Sequence, residues 1–381
     1  MKTMNTSSGM SDFLVNVSSR DTYSILKKLD NEAALRFLPV IIFLVILIVM
    51  GTPGNIIVSI VYSRRKRKST SDYFILNLAF LDLFTCLIGI PMEIADLCLS
   101  YTFDAPAACK ILRATVSLTS MASVLILVVI SMDRYKRICK FGESFSYRTV
   151  KRLCITAFII GAGCSWPAMI IVGEQTIDTG ISGVKGVDCS TSDEMQKTVY
   201  PLVYYCVLMF CFLVCVIFLV FVYVRISIFV MKMKRSRKRV FGPNEISSTS
   251  FSRHHGHISL GNASGDNSNL TGNSADDRYR DVHAQQRIER KTSAVKVTRT
   301  TTIFVAVTIA FIVSYLPFLA AMVLRNIISG FERNLSADVS VFYKFCLKCF
   351  FINNAINPLI YSFLSGKFKQ EVKDLLQCTF F

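Results

Sequence analysis

Seven separate stretches of this chain stay apolar for about the length a helix needs to cross a bilayer. They cover residues 37–62, 73–97, 111–132, 153–173, 199–224, 300–324 and 342–364. A hydrocarbon layer about 30 Å thick takes roughly 20 helical residues at about 1.5 Å each. The runs are continuous rather than alternating, which favours helices over the strands of a barrel. The first, fourth, fifth and sixth carry no Asp, Glu, Lys or Arg. Only 18% of the chain is charged and 52% is hydrophobic, whereas soluble domains carry about 25% charged residues. An ordinary soluble enzyme fold is excluded. The expected fold is an all-α integral membrane protein, a seven-transmembrane helix bundle over 37–364 behind an N-terminal segment at 1–36.

The formal charge of +17 has to be judged by its position. Arg64, Arg65, Lys66, Arg67 and Lys68 follow the first run; Lys136, Arg137, Lys140, Arg148, Lys151 and Arg152 follow the third; another basic cluster spans 232–239 after the fifth. The link after the second, residues 98–108, has no basic residue. Positive loops face the cytoplasm, so the N-terminus is expected outside and the C-terminus inside, at the plasma membrane. The excess is topological, and nucleic-acid binding is a poor reading of it. The first run is expected to act as the signal anchor. Asn5 and Asn16, and Asn334 in the last outer loop, begin glycosylation sequons on the outer side. Residues 234–295 are rich in Ser, Asn, Gly and Arg and read as a disordered cytoplasmic loop. Thirteen cysteines, several inside apolar runs, exclude a full disulfide scaffold.

Asp82 lies in the middle of the second run. A carboxylate at mid-bilayer costs about 2.5–3.5 kcal/mol on insertion scales, so it needs partners or a proton. Ser123, Asn353 and Asn357 are the candidate partners. Two readings stand: a protonated carboxyl in a polar helix contact, or a Na⁺ site of oxygen ligands. Asp133-Arg134-Tyr135 closes the third run, where an arginine that merely snorkels to the interface is common. Asn357-Pro358-Leu359-Ile360-Tyr361 closes the seventh; its proline removes a backbone bond, and Asn357 is placed to satisfy the freed groups.

With these motifs the chain resembles the rhodopsin-like (class A) G-protein-coupled receptors, over essentially residues 37–381. The resemblance rests on Gly54-Asn55, Leu78-Ala79-Phe80-Leu81-Asp82, Asp133-Arg134-Tyr135, Trp166-Pro167, Phe311 with Pro317, and the Asn357–Tyr361 motif. Phe368 stands where the family has a short amphipathic helix, placing that helix and a tail at 365–381. Six signatures in the right order make the match specific. The resemblance implies a disulfide between Cys109 and Cys189, and it favours Na⁺ at Asp82, Ser123, Asn353 and Asn357 as an allosteric modulator, with no other cofactor. It implies a coupling and switch set of Asp133, Arg134, Tyr135, Arg137, Ile138, Phe141, Tyr223, Phe311, Tyr315, Pro317, Asn357, Pro358 and Tyr361. Several positions depart from the family. Ser314-Tyr315-Leu316-Pro317 replaces Cys-Trp-x-Pro, Cys215 replaces the fifth-span proline, and Phe141 replaces the proline after the third span. Lys296 and Val297 stand where an acidic lock is usual.

Val116 replaces the aspartate of amine receptors, and Phe351 the Schiff-base lysine of opsins, so both subclasses are disfavoured. Charges of both signs near the outer ends suit a peptide. The implied ligand set is Glu93, Arg113, Val116, Ser117, Ser120, Tyr315, Arg325 and Lys348, with Glu93 and Arg113 deepest and Lys348 read as a simple outer-end base. The expected function is a receptor for an extracellular ligand, a neuropeptide or peptide hormone, that activates a heterotrimeric G protein and is no enzyme. Receptor kinases, arrestin and membrane lipid are the further partners. Arg290–Ser293 offers hydroxyls for phosphorylation and Cys378 a site for a palmitoyl chain. A lipid or other small organic ligand is the alternative; a seven-span transporter would need inverted repeats, which the sequence lacks.

Overall fold

The computed structural model describes residues 19–66, 68–140, 144–241, 300–325, 328, 331 and 335–379. Asn5, Asn16, Asn334, Phe141, Lys296, Val297 and residues 290–293 lie outside the described residues. Among the described residues, seven helices are long and apolar enough to cross a membrane: Leu38–Arg64, Thr70–Cys98, Pro106–Cys139, Tyr147–Ile171, Tyr200–Met233, Thr300–Arg325 and Ala337–Leu364. They are the seven sequence runs, mostly extended beyond their apolar cores. Hydropathy misses polar end turns, and at the second and fourth spans a serine cap fixes the start. Ser69, for example, accepts from the Asp72 N–H while the Asp72 side chain accepts from the Ser69 N–H, which starts the second span at Thr70. The helix of the fifth span runs on to Phe241, so the first part of the segment read as loop is helical.

The third span packs against the second, fourth and fifth, and the first closes on the second and seventh. That last closure needs glycine. A Cβ on Gly54 would sit 2.8 Å from the ring of Pro358, and one on Gly51 would sit 3.2 Å from the Ala355 backbone. Gly54→Ala is therefore expected to lower the thermal midpoint by the equivalent of about 1–3 kcal/mol of overpacking. Gly163→Ala, whose Cβ meets nothing within 4 Å, is the control that should leave the midpoint alone in the same fluorescence-monitored unfolding.

Among the described residues three spans are not regular α-helices: the fourth breaks at Trp166–Pro167 into Tyr147–Ser165 and Ala168–Ile171, and the irregularities of the second and seventh position functional side chains. In the second span a π turn covers Thr85–Gly89. It precedes Pro91, which cannot donate to its i−4 carbonyl and pushes it away. The extra residue in the turn rotates everything after it, including Glu93 and Asp96. The seventh span breaks into Ala337–Lys348, a 3-10 turn Cys349–Phe351 and Ile352–Leu364.

Three elements were not foreseen. Helix Ser19–Arg36 occupies part of the segment read as a simple polar lead. Its Ile25, Leu26, Leu29 and Ala33 recur at helical spacing on the sheltered face. An antiparallel hairpin, β1 (Val172–Asp178) and β2 (Lys185–Thr191), follows the fourth span as a small addition to the helical bundle. Gly180 (φ 76°) and Gly183 (φ 80°) supply the left-handed conformations that its turn requires. Val187 of β2 donates to the Tyr101 carbonyl at 2.8 Å and accepts from the Phe103 N–H at 3.0 Å. The leading helix is stapled to the same loop: Asp30 accepts from the Tyr101 N–H at 2.7 Å and from the Thr102 hydroxyl.

At the opposite end of the bundle, helix Gly366–Thr379 follows the seventh span, where an amphipathic helix was expected, and contains Cys378. Arg65 ties it down. Its Nε lies 3.2 Å from both carboxylate oxygens of Glu371, and its Nη1 donates to Asp72. The same guanidinium covers the Tyr62 ring at 4.0 Å, and Tyr62 stacks on Phe368 with centroids 5.8 Å apart.

Candidate functional site

The hairpin end of the bundle holds a charged cluster. Glu93 is fully enclosed, with its side chain 1% exposed. Arg113 Nη1 donates to Glu93 Oε1 at 2.8 Å, and Lys348 Nζ donates to Glu93 Oε2. Arg113 Nη2 donates to Asp96 Oδ2 at 3.0 Å and to the Cys189 carbonyl at 3.2 Å. Cys189 is disulfide-bonded to Cys109 of the third span, so the hairpin, the third span and the charge cluster form one unit. Lys348 is not the outer-end base expected from sequence: it is buried, because the 3-10 turn after it brings it onto Glu93. Such a group is tolerated in an apolar bundle only when paired.

Deeper in the bundle the lining turns aromatic. The Ser117 and Tyr204 hydroxyls lie 3.4 Å apart, and the Ser120 side chain hydrogen-bonds Tyr315. Tyr315 packs on both Phe212 (5.0 Å) and Phe311 (4.5 Å), which also contact each other at 5.7 Å, and it meets Phe350 at 5.5 Å. Val116 is half-buried beside the π turn, with a methyl 3.6 Å from where a Gly89 Cβ would lie. Arg325, also among the expected ligand residues, is exposed at the end of the sixth span.

Mid-bundle, Asp82 accepts from Asn354 Nδ2 at 3.0 Å and Asn357 Nδ2 at 2.7 Å. Sequence reasoning named Asn353 and missed Asn354; both sit on the turn before Pro358, and spacing alone does not separate them. The carbonyl that Pro358 frees belongs to Asn354. It is satisfied not by Asn357 but by Asn55 of the first span, whose Nδ2 donates at 2.8 Å. Ser123 Oγ, Asn353 Oδ1 and Asn357 Oδ1 are buried without a hydrogen-bond partner. Oxygen atoms of this kind, together with the Asp82 carboxylate, are the donors a hard cation takes.

At the other end, Arg134 is 1% exposed, so it does not snorkel. It donates to Asp133 and, at 2.9 Å, to the Ser71 hydroxyl of the second span. Its guanidinium lies 5.3 Å from the Phe304 ring of the sixth. Asp133 is over-supplied with donors: Arg137 Nε at 2.9 Å and the Phe145 N–H at 3.3 Å also reach it. Tyr135 and Ile138 are half-buried beside them, as is Pro317 nearer the aromatic stack. Tyr223 approaches the Thr308 hydroxyl of the sixth span at 3.4 Å, while the buried Tyr361 hydroxyl has no partner.

The profile of the family described as 7 transmembrane receptor (rhodopsin family) matches residues 54–361. The chain belongs to that family. The match runs from the glycine at the first–seventh span contact to the tyrosine that closes the seventh. Among curated relatives, this receptor is 29% identical over 156 residues to the C5a anaphylatoxin chemotactic receptor 1 of Oncorhynchus mykiss, covering 40% of this chain and 44% of that one. It is 34% identical over 148 residues to the neuropeptide S receptor of Macaca mulatta (37% and 38%) and 30% over 139 residues to the alpha-2B adrenergic receptor of Dugong dugon (36% and 35%). The receptor thus spans less than half the length of the curated relatives it matches.

Proposed function

We propose that this chain is a plasma-membrane receptor that binds an extracellular peptide at its hairpin end and activates a heterotrimeric G protein at its Arg134 end. The observation that carries the reading is the cluster of Glu93, Arg113, Lys348 and Asp96 under the disulfide-tied hairpin. It offers groups of both signs above an aromatic floor, the chemistry that a peptide's termini and side chains engage. Relatives named for C5a and neuropeptide S support a peptide ligand. Val116, standing where an amine receptor has its aspartate, weighs against the adrenergic one. The basic loops support a cytoplasmic Arg134 end and an extracellular N-terminus.

The receptor works by differential affinity rather than by chemistry on a substrate. Agonist favours a state in which the sixth span moves out at the Arg134 end, Arg134 leaves Asp133 for the G-protein α subunit, and Tyr223 and Tyr361 enter the space. Arg137, Ile138 and Phe141 line the docking surface. Kinase and arrestin action on the hydroxyls near Arg290–Ser293, and a lipid chain on Cys378, complete the reading. A peptide library screened on cells expressing the chain, read as nucleotide exchange on G protein and as ion flux, tests it. Exchange without flux supports a receptor; flux without exchange would place the chain among transporters or channels.

Asp82, Ser123, Asn353 and Asn357 would hold Na⁺ through oxygen atoms. When bound, the ion supplies a positive charge to a buried carboxylate and so favours the resting packing. Agonist affinity is expected to rise by several-fold when Na⁺ is replaced by a bulky organic cation at constant ionic strength. The rise should vanish in Asp82→Asn. An equal rise in both proteins would leave Asp82 a structural contact only.

A further inference from the structure

We propose that the receptor takes up a cationic group of its ligand, a guanidinium or an ammonium, between Asp96 of the second span and Asp188 of the hairpin. The proposal rests on the reading of this end as the ligand site and narrows it to one charge at one place.

Hydrogen-bond capacity in the charged cluster is unevenly filled. Glu93 has no carboxylate oxygen to spare, since Arg113 holds one and Lys348 the other. Arg113 is likewise divided among Glu93, Asp96 and the Cys189 carbonyl. Asp96 is different. Its side chain is only 10% exposed, its Oδ2 takes Arg113, and its Oδ1 is shut from solvent with no hydrogen-bond partner. A buried acceptor left without a donor costs about 1–3 kcal/mol, so the fold maintains this oxygen at a penalty.

A second carboxylate faces the same place. Asp188 is paired with Gln175 in the hairpin register and directly precedes Cys189, whose carbonyl receives Arg113. The Asp188 carboxyl is pushed above its ordinary value by burial and then by the charge of Asp96; Lys344 and Arg113 pull the other way. The repulsion between the two carboxylates is thus relieved only in part by Arg113, whose hydrogen bonds go to Glu93, Asp96 and the Cys189 carbonyl. A neutral donor could satisfy Asp96 Oδ1 but would leave the repulsion between the carboxylates. A cation does both, and a guanidinium can reach both carboxylates with its planar fork. An anionic group is repelled here and is better met by Arg36 and Lys344, which flank a cavity of about 300 Å³ at the outer ends of the first and seventh spans.

The test uses two small probes of nearly identical shape, N-acetyl-arginine amide and N-acetyl-citrulline amide, on purified full-length receptor in lipid nanodiscs. The arginine probe is expected to raise the thermal midpoint saturably at millimolar concentration, and the citrulline probe to leave it unchanged. Asp96→Asn should weaken the arginine effect at least tenfold, and Asp188→Asn severalfold. Asp188 is half-buried on a hairpin whose ladder is made by the backbone, so that variant carries the test if Asp96→Asn fails to fold. Equal stabilisation by both probes, no stabilisation by either, or an undiminished arginine effect in the variants would overturn the proposal. Binding alone is read, so the result is separate from nucleotide exchange, on which the receptor reading itself stands or falls.

Discussion

Replacing Glu93 by glutamine is expected to cost the protein about 3–5 kcal/mol, enough to remove most of it from the cell surface. The change keeps the volume and removes the charge that neutralises two cations. Lys348 would be left buried, with its side chain 8% exposed and no carboxylate to face, while Arg113 would retain Asp96. The loss comes chiefly from the stranded lysine. A second change at that residue therefore tells the explanations apart. Lys348→Met in the Glu93→Gln background should recover much of the thermal midpoint and surface expression, because an uncharged side chain of similar length needs no partner. Absence of recovery would mean that Glu93 stabilises the π-turn region of the second span by some route other than this pair.

The second large effect is expected at Arg134. Arg134→Ala should reach the surface in normal amount yet lower nucleotide exchange on purified heterotrimeric G protein by at least tenfold. Couplings between sites of about 1–3 kcal/mol correspond to roughly 5–150-fold, and Arg134 is the group proposed to carry the contact. The fold should survive because Asp133 keeps other donors, Arg137 Nε at 2.9 Å and the Phe145 amide at 3.3 Å. Wild-type exchange in this variant would end the coupling scheme. Poor surface expression would show instead that the Arg134–Ser71 contact holds the second span in place.

Much of this was legible in the sequence, for a physical reason. A bilayer demands long apolar helices, and every departure from apolarity inside them stands out. Seven runs, Asp82 and the Asp133–Arg134 pair were visible for that reason, and the family pattern selected the Cys109–Cys189 bridge that the structure contains. What stayed hidden depended on rotation and on distant partners. Lys348 looked like an ordinary outer-end base until the 3-10 turn aimed it at Glu93, and nothing in the spacing showed that Asp96, beyond the π turn, would meet Arg113. Asn354 differs from Asn353 by one position, about 100° around a helix, and only the packing of Asn55 and Asp82 decides between them. The hairpin had a sequence signal in Gly180 and Gly183 flanking a turn, with β-branched residues on both sides, but the expectation of an all-α chain hid it. The leading helix was hidden by its polar composition, although Ile25, Leu26, Leu29 and Ala33 carry its period.

Arg65 has a consequence for how the protein can be handled outside a cell. An amphipathic helix that only floats on lipid loses its place when the lipid is stripped away. Here a guanidinium that reaches both Asp72 and Glu371, with its side chain only 11% exposed, bolts the trailing helix to the start of the second span. Sheltered ion pairs are screened far less than exposed ones, and the Tyr62–Phe368 stack adds a contact that no ion can displace. The position of the trailing helix is thus written into the polypeptide itself, and it should travel with the protein into detergent micelles and nanodiscs alike.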